Sequence, residues 1–251
     1  MNGFELYDLA RKLIQISEDA AVPIDERLAA AAGIQDPGQV REIVGTLEKL
    51  ADQLAGALAP ELFDWYTTET PPWDTGRPQP AIRGLAEAGA FRGRVLEIGC
   101  GTGEIALMAA ALGLPSTGID PASTAIDIAR RKAEERGLKV NFLLGNAFEL
   151  GELGEQFDTV VDCGLFHVFS DPDRVRYAAN LATAMPPDAQ LFLLCYSDRH
   201  PPGIGPRRVS QDEIRATFAT GWRVGSIEPA TLENNRYADG VPAWLATITR
   251  T

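Results

Sequence analysis

Glu97, Gly99, Gly101 and Gly103 occupy alternate positions in VLEIGCGTGEIAL (residues 95–107), directly after a run of apolar residues. Glycines at that spacing let a backbone pass close under a ligand. A dinucleotide-binding fingerprint would need its third glycine at position 104, which is Glu104, so the pattern does not fit a pyrophosphate. A nucleotide-phosphate loop would need Gly-Lys followed by Ser or Thr, and none occurs here. Glu97 would repel phosphate and suits a cationic ligand. Asp120 closes the next apolar stretch, 21 residues after Gly99, where a carboxylate can accept both hydroxyls of a ribose. The ligand these residues describe carries a ribose and a positive charge.

Around these residues strands and helices alternate. Strands are expected at residues 95–100, 116–120, 140–145, 157–163 and 190–196, and helices at 103–112 and 123–136, the latter ended by Gly137. A further helix starts with Asp171 as cap and Pro172, and runs to 184. Ser210 and Glu213 form a capping box for the next, which Gly221 ends. The tail reads as two strands, 223–232 and 244–249, joined by a loop without a helix. The alternation predicts an α/β fold: a doubly wound, Rossmann-like, seven-stranded and mostly parallel sheet with one antiparallel strand, and ligands at its C-terminal edge.

Residues 1–60 read as helices only, with Leu6, Leu9, Leu13 and Ile14 in a stripe and Asp36, Pro37 and Pro60 bounding the last helix. This all-helical N-terminal extension is expected to pack on the main domain, residues 61–251, or on a second copy of the chain as a homodimer. Residues 61–80 hold four prolines yet also Phe63, Trp65, Tyr66 and Trp73, which suggests a flap over a ligand or a wrap on the core. The chain is 45% hydrophobic with net charge -12, the composition of a globular protein whose acidity argues against nucleic acid as partner. No stretch matches a signal peptide or membrane span, and the three cysteines lack metal-ligand or paired spacing, so a cytoplasmic protein with reduced thiols, no membrane partner and no metal is expected.

A ribose, no phosphate and a positive charge are the features of S-adenosylmethionine. ExGxGxG followed by GID, GNAFEL and FDTVVDCGLFHVF resembles the class I S-adenosylmethionine-dependent methyltransferases, and PPWDTGRPQP ahead of the first strand is similar to the thiopurine methyltransferase-like branch. The resemblance covers residues 71–250 and not residues 1–60. It implies that Glu97, Gly99, Gly101 and Gly103 line the methionine half and that Asp120, with Pro121 beside it, binds the ribose. Asn146, Ala147 and Phe148 fall at the adenine, where the commoner residue at 146 is Asp. Asp162 and Cys163 fall at the methionine ammonium, and Trp73 and Arg77 over the bound cofactor. Taken singly, Gly103 also reads as tight helix–strand packing and Asp120 as a helix cap.

Methyl transfer from a sulfonium is an in-line displacement that needs alignment, plus a base only where the nucleophile arrives protonated. His167, between Phe166 and Val168 where the acceptor enters in such enzymes, is the candidate base; the competing reading is a packed histidine. His200, in the loop after the fifth parallel strand, is a second candidate, and Phe166 with the flap suggests a small apolar, aromatic or heterocyclic acceptor methylated on O, S or N. Two alternatives are a non-catalytic sensor of the cofactor and an aminopropyl transferase; the latter would want acids at residues 163–166, where none occurs.

Overall fold

Val160 and Val161 point to opposite faces of one strand, and both are 0% exposed. A strand buried on both faces needs helices on both sides, which is the condition of a doubly wound sheet. The computed structural model describes residues 66, 70–201 and 206–251. The helices expected in residues 1–60, and Phe63 and Trp65, lie outside the described residues.

The described elements run α1 (Pro80–Glu87), β1 (Val95–Ile98), α2 (Glu104–Ala111), β2 (Ser116–Asp120), α3 (Ser123–Glu135), β3 (Asn141–Leu144), β4 (Thr159–Cys163), α4 (Asp171–Ala184), β5 (Gln190–Tyr196), α5 (Gln211–Thr217), β6 (Trp222–Asn234) and β7 (Tyr237–Arg250). The seven strands form one sheet in the order β3-β2-β1-β4-β5-β7-β6. β7 pairs antiparallel with both β5 and β6, so it is the one strand that runs against the rest. Leu191, Leu193 and Cys195 of β5 pack with α4 and α5 on one face. Phe192, Leu194 and Tyr196 pack with α1 and α2 on the other. A smaller cluster of Ala106, Leu107, Ile126, Ala129 and Phe142 lies under α3.

The strand order reverses between β1 and β4, which pair directly with Ile98 opposite Asp162. The loops leaving these two strands therefore diverge to opposite faces and leave a crevice at the carboxyl edge. β6 runs in the sense of β5 and extends past it. Tyr196 closes β5 opposite Ala243, whereas β6 and β7 stay paired out to Asn234 and Tyr237. The hairpin tip thus overhangs the ligand edge.

Some local expectations change. Residues 80–87 form a helix that begins at the last residue of the proline-rich segment 61–80; Pro80 supplies its first turn and Ile82 and Ala86 its buried face. Ser170 rather than Asp171 caps α4, because the Ser170 side chain accepts the amide of Asp173. α5 does close its capping box, but it stops at Thr217, ahead of Gly221. The tail strands are longer than expected and are joined by a turn at Asn235 and Arg236. Among the described residues no helix is long and apolar enough to cross a membrane.

Candidate active site

The three alternating glycines all lie at positive φ, +63° at Gly99, +50° at Gly101 and +81° at Gly103, so the loop after β1 is closed to side chains by its backbone alone. Each glycine meets a different neighbour. A Cβ on Gly103 would stand 2.4 Å from Cζ of Phe142, so this glycine serves tight packing as well as the turn into α2. A Cβ on Gly99 would touch the Leu165 side chain at 3.3 Å, across the crevice from β1 to the loop after β4. Gly101 faces the flap: its Cβ would come 2.6 Å from the Tyr66 hydroxyl.

Two buried carboxylates brace this loop. Asp120 Oδ2 accepts the amide of Gly101 at 2.8 Å, and Oδ1 accepts that of Ala122 at 2.8 Å. Asp120 thus ties the end of β2 to the glycine loop and also turns the chain, past exposed Pro121, into α3. Glu97 is 5% exposed, and its carboxylate accepts the amide of Ala106 at 2.7 Å. That oxygen is directed at the N-terminus of α2. Burial pushes Glu97 up to about 8, only partly opposed by the Ala106 and Ile105 amides.

Asp162 is 0% exposed; Oδ1 accepts the amides of Leu165 and Phe166, and Oδ2 accepts the Tyr177 hydroxyl. Its side chain therefore shapes the turn after β4 and leaves half-buried Cys163 at the crevice. The Asn146 oxygen accepts the amide of Phe148 at 2.9 Å, and Phe148 packs on Phe169 at 5.0 Å, so residues 146–148 make a fixed wall beyond β3.

The flap is fastened to this frame by residues that local sequence does not reveal. Thr102 Oγ1 donates to Asp74 Oδ2 at 2.8 Å, and Lys132 Nζ donates to Thr102 at 2.7 Å. Asn235 at the hairpin tip donates its backbone amide to Pro72 and its side-chain amide to Asp74. Trp73 is 47% exposed, and its side chain hydrogen-bonds Tyr66, the residue over Gly101. Arg77 turns away to the hairpin, where it pairs with Glu233 at 3.0 Å. Asp74 and Tyr66 touch the glycine loop where Arg77 was expected.

On the acceptor side Phe166 is 0% exposed, packed against Tyr177 and Phe218. It is a core residue and cannot touch an acceptor, which corrects its assignment as pocket wall. His167 is 5% exposed, and its Nδ1 accepts the amide of Tyr196 at 3.0 Å. An acceptor nitrogen carries no proton, so the proton sits on Nε2. Burial, then the charges of Arg174 and Arg208, bring His167 down to about 3. A general base needs a lone pair facing the substrate and a pKa nearer the working pH. His167 has neither and presents a neutral N–H donor instead. His200 is half-buried, with its ring 5.7 Å from Tyr196.

These features fit S-adenosylmethionine. The crevice between β1 and β4 has a side-chain-free floor, a buried acceptor carboxylate at the end of β2, and a polar-latched cover. Among the described residues no group of three His, Cys, Asp or Glu side chains could hold a metal.

Comparison with known proteins agrees with this frame. A methyltransferase domain model matches residues 95–188. A 2-heptyl-1-hydroxyquinolin-4(1H)-one methyltransferase of Mycobacteroides abscessus is 38% identical over 173 residues, 68% of this chain and 74% of that one. A probable thiol methyltransferase of Arabidopsis thaliana is 31% identical over 151 residues, 59% of this chain and 66% of that one. A solved structure from the conversion of a disulfide bond into a thioacetal group during echinomycin biosynthesis is 38% identical. Its TM-score is 0.66, covering 72% of this chain and 86% of that one. With that identity across most of a relative's length, and with the glycine loop and its two bracing carboxylates in place, the chain belongs to the class I S-adenosylmethionine-dependent methyltransferases.

Proposed function

We propose that this enzyme methylates an O, S or N atom of a small aromatic or heterocyclic molecule, as a member of the thiopurine methyltransferase-like branch. The carrying observation is the Gly101–Asp120 hydrogen bond at the switch point, which sets a cofactor floor beside an acceptor edge lined by rings. The names of the relatives support the acceptor class, one acting on a hydroxyquinolone and one on thiols. A non-catalytic sensor is not favoured by membership in a family of enzymes.

When bound, S-adenosylmethionine supplies an electrophilic methyl on a cationic sulfur. The chain's part is to align and to exclude water. Gly99 and Gly101 would admit the methionine half, Asp120 would accept the ribose hydroxyls, and Asn146 to Phe148 would wall the adenine. Tyr66 and Trp73 would cover the site, with Asp74 holding them. Cys163 would offer its backbone to the ammonium. His167 and His200 belong to the acceptor side. We further infer a cytoplasmic enzyme whose partner is a small molecule rather than nucleic acid or membrane.

The test is direct. The protein is incubated with S-adenosylmethionine and a panel of phenols, hydroxyquinolines, aryl thiols and heterocyclic amines, and S-adenosylhomocysteine and acceptor mass gain are recorded. Cofactor binding without turnover on any acceptor would sink the acceptor class.

A further inference from the structure

Glu233 of β6 drops out of the strand ladder. Leu232 pairs with Val241 and Asn234 with Tyr237, and the register shifts between them. Gly240, at φ +67°, sits in this irregularity, where a Cβ would stand 2.9 Å from the carbonyl oxygen of Leu232. A bulge of this kind frees backbone groups that a regular ladder would consume. Both groups of Glu233 are taken by one side chain of the flap. Gln79 Nε2 donates to the Glu233 carbonyl at 3.0 Å, and the Glu233 amide donates to Gln79 Oε1 at 2.7 Å. Gln79 is 5% exposed, so its amide is satisfied out of water by the hairpin backbone.

Two residues on, Asn235 makes a second anchor. Its backbone amide donates to the carbonyl of Pro72 at 2.7 Å, and its Nδ2 donates to the carbonyl of Asp74 at 2.8 Å. Arg77 adds an ion pair with Glu233, exposed and weak by itself. Each of the four hydrogen bonds ends on main chain, so they fix the backbone of residues 72–79 against that of residues 233–235. Between the two anchors stand Trp73, which hydrogen-bonds Tyr66, and Asp74, which accepts from Thr102. The Tyr66 hydroxyl is the group over Gly101. The other side of the same tip meets the end of β5. The Asn234 side chain hydrogen-bonds Tyr196, and the Tyr237 ring lies 6.3 Å from His200, which lies 5.7 Å from Tyr196. Rings packed on one another transmit a displacement rather than absorb it.

We propose that the β6–β7 tip is a positioning element for the cofactor, with Asn235 and Gln79 as its positioning residues. The tip sets the height of Tyr66 and Trp73 over the glycine loop and joins that cover to the end of β5, so that cofactor binding orders both. This rests on the methyltransferase reading and goes beyond it, because Asn235 and Gln79 act through residues 72–79 and not by touching the cofactor. A cover already held in place costs less entropy to close on a ligand, and that saving appears as affinity.

The test is calorimetry and hydrogen exchange on the full-length protein with S-adenosylhomocysteine. On wild type the ligand is expected to protect the amides of residues 99–103, 73–76 and 196–200 together. Asn235→Asp keeps the size and turn preference of the side chain but has no proton to donate to Asp74. It should raise the S-adenosylhomocysteine Kd by about three- to tenfold, the effect of one lost hydrogen bond. At saturating ligand it should keep the protection of 99–103 and lose that of 196–200. Asn235→Gln, with a donor on a longer arm, should recover part of both. Without ligand, the melting temperature of Asn235→Asp should fall by at most about 4 °C. An unchanged Kd in Asn235→Asp, or protection at 196–200 that survives in it, would overturn the proposal. So would wild-type exchange in which 99–103 is protected and 196–200 is not, and that result decides even where a variant fails to fold. If S-adenosylhomocysteine does not bind wild type, the methyltransferase reading itself fails; if it binds without protecting 196–200, only this inference does.

Discussion

Gly101 hangs from Asp120: its amide donates to Oδ2 across 2.8 Å, so the loop after β1 and the end of β2 move as one piece. The same carboxylate is the proposed ribose acceptor, so its removal acts twice. Asp120→Ala is expected to weaken S-adenosylhomocysteine binding by about 1.5–3 kcal/mol for each charged hydrogen bond lost to the ligand. It should also speed hydrogen exchange at the Gly101 amide. Unchanged affinity in calorimetry would confine Asp120 to the loop.

Gly101 and Gly103 should separate under substitution. Gly103→Ala places a Cβ 2.4 Å from the Phe142 ring at φ +81°, inside packed core, so a fall in melting temperature is expected first. Gly101→Ala meets only the Tyr66 hydroxyl, the end of a movable side chain. It should mainly cost cofactor affinity, and adding Tyr66→Phe should restore part of any lost stability. Equal stability losses in the two single variants, with binding intact, would make the loop a packing device.

Which parts could be read in the sequence follows from how local their causes are. The alternation of β1 to β5 with helices was legible because Val160, Val161, Leu191 and Phe192 are apolar on both faces. The glycine loop was legible because its chemistry is packed into seven residues. β7 was underestimated because Pro242 and Gly240, with its φ of +67°, interrupt the pattern while cross-strand pairing carries on through Pro242. Helix α1 had signals that went unused: Pro80 at its start and buried Ile82 and Ala86 one turn apart. Phe166 and His167 are neighbours in a short 3-10 turn, where period gives no face, so only the fold shows that both are buried. Asp74 meets Thr102 across 28 residues, and no pattern within the flap announces that contact.

That contact is the third thing to test. Because Asp74 already joins the flap to Thr102 without ligand, Asp74→Ala should free residues 70–79 for proteolysis and hydrogen exchange and raise the cofactor Kd by about tenfold, the loss of one or two hydrogen bonds. Trp73 fluorescence should then respond more to cofactor in Asp74→Ala than in wild type, since only the loosened flap has far to close. An identical response in both proteins would show that the latch does not govern closure.

The last prediction concerns His167, whose pKa in the fold is about 3 against an ordinary 6.5. Below about pH 6.5 the unfolded chain binds a proton at this position that the folded chain refuses. Stability therefore rises with pH in this window: the contribution is whole above about 6.5 and is lost as pH falls toward about 3. The slope reaches about 1.4 kcal/mol per pH unit for one proton. Glu97, raised to about 8, and Asp162, raised to about 6, act with the opposite sign, so the wild-type curve alone is a mixture. His167→Asn isolates the imidazole, since its side-chain oxygen can still accept the amide of Tyr196 but does not titrate. The difference in urea stability between wild type and His167→Asn should be flat above about pH 7 and should move steadily against wild type below about 6.5. In turnover, any loss in the same variant should not shrink as pH rises, because an imidazole brought down to about 3 is no base near neutral pH. A stability difference that stays flat down to about pH 4.5 would show that the imidazole is not held neutral, and a turnover loss that vanishes at high pH would return His167 to the role of base.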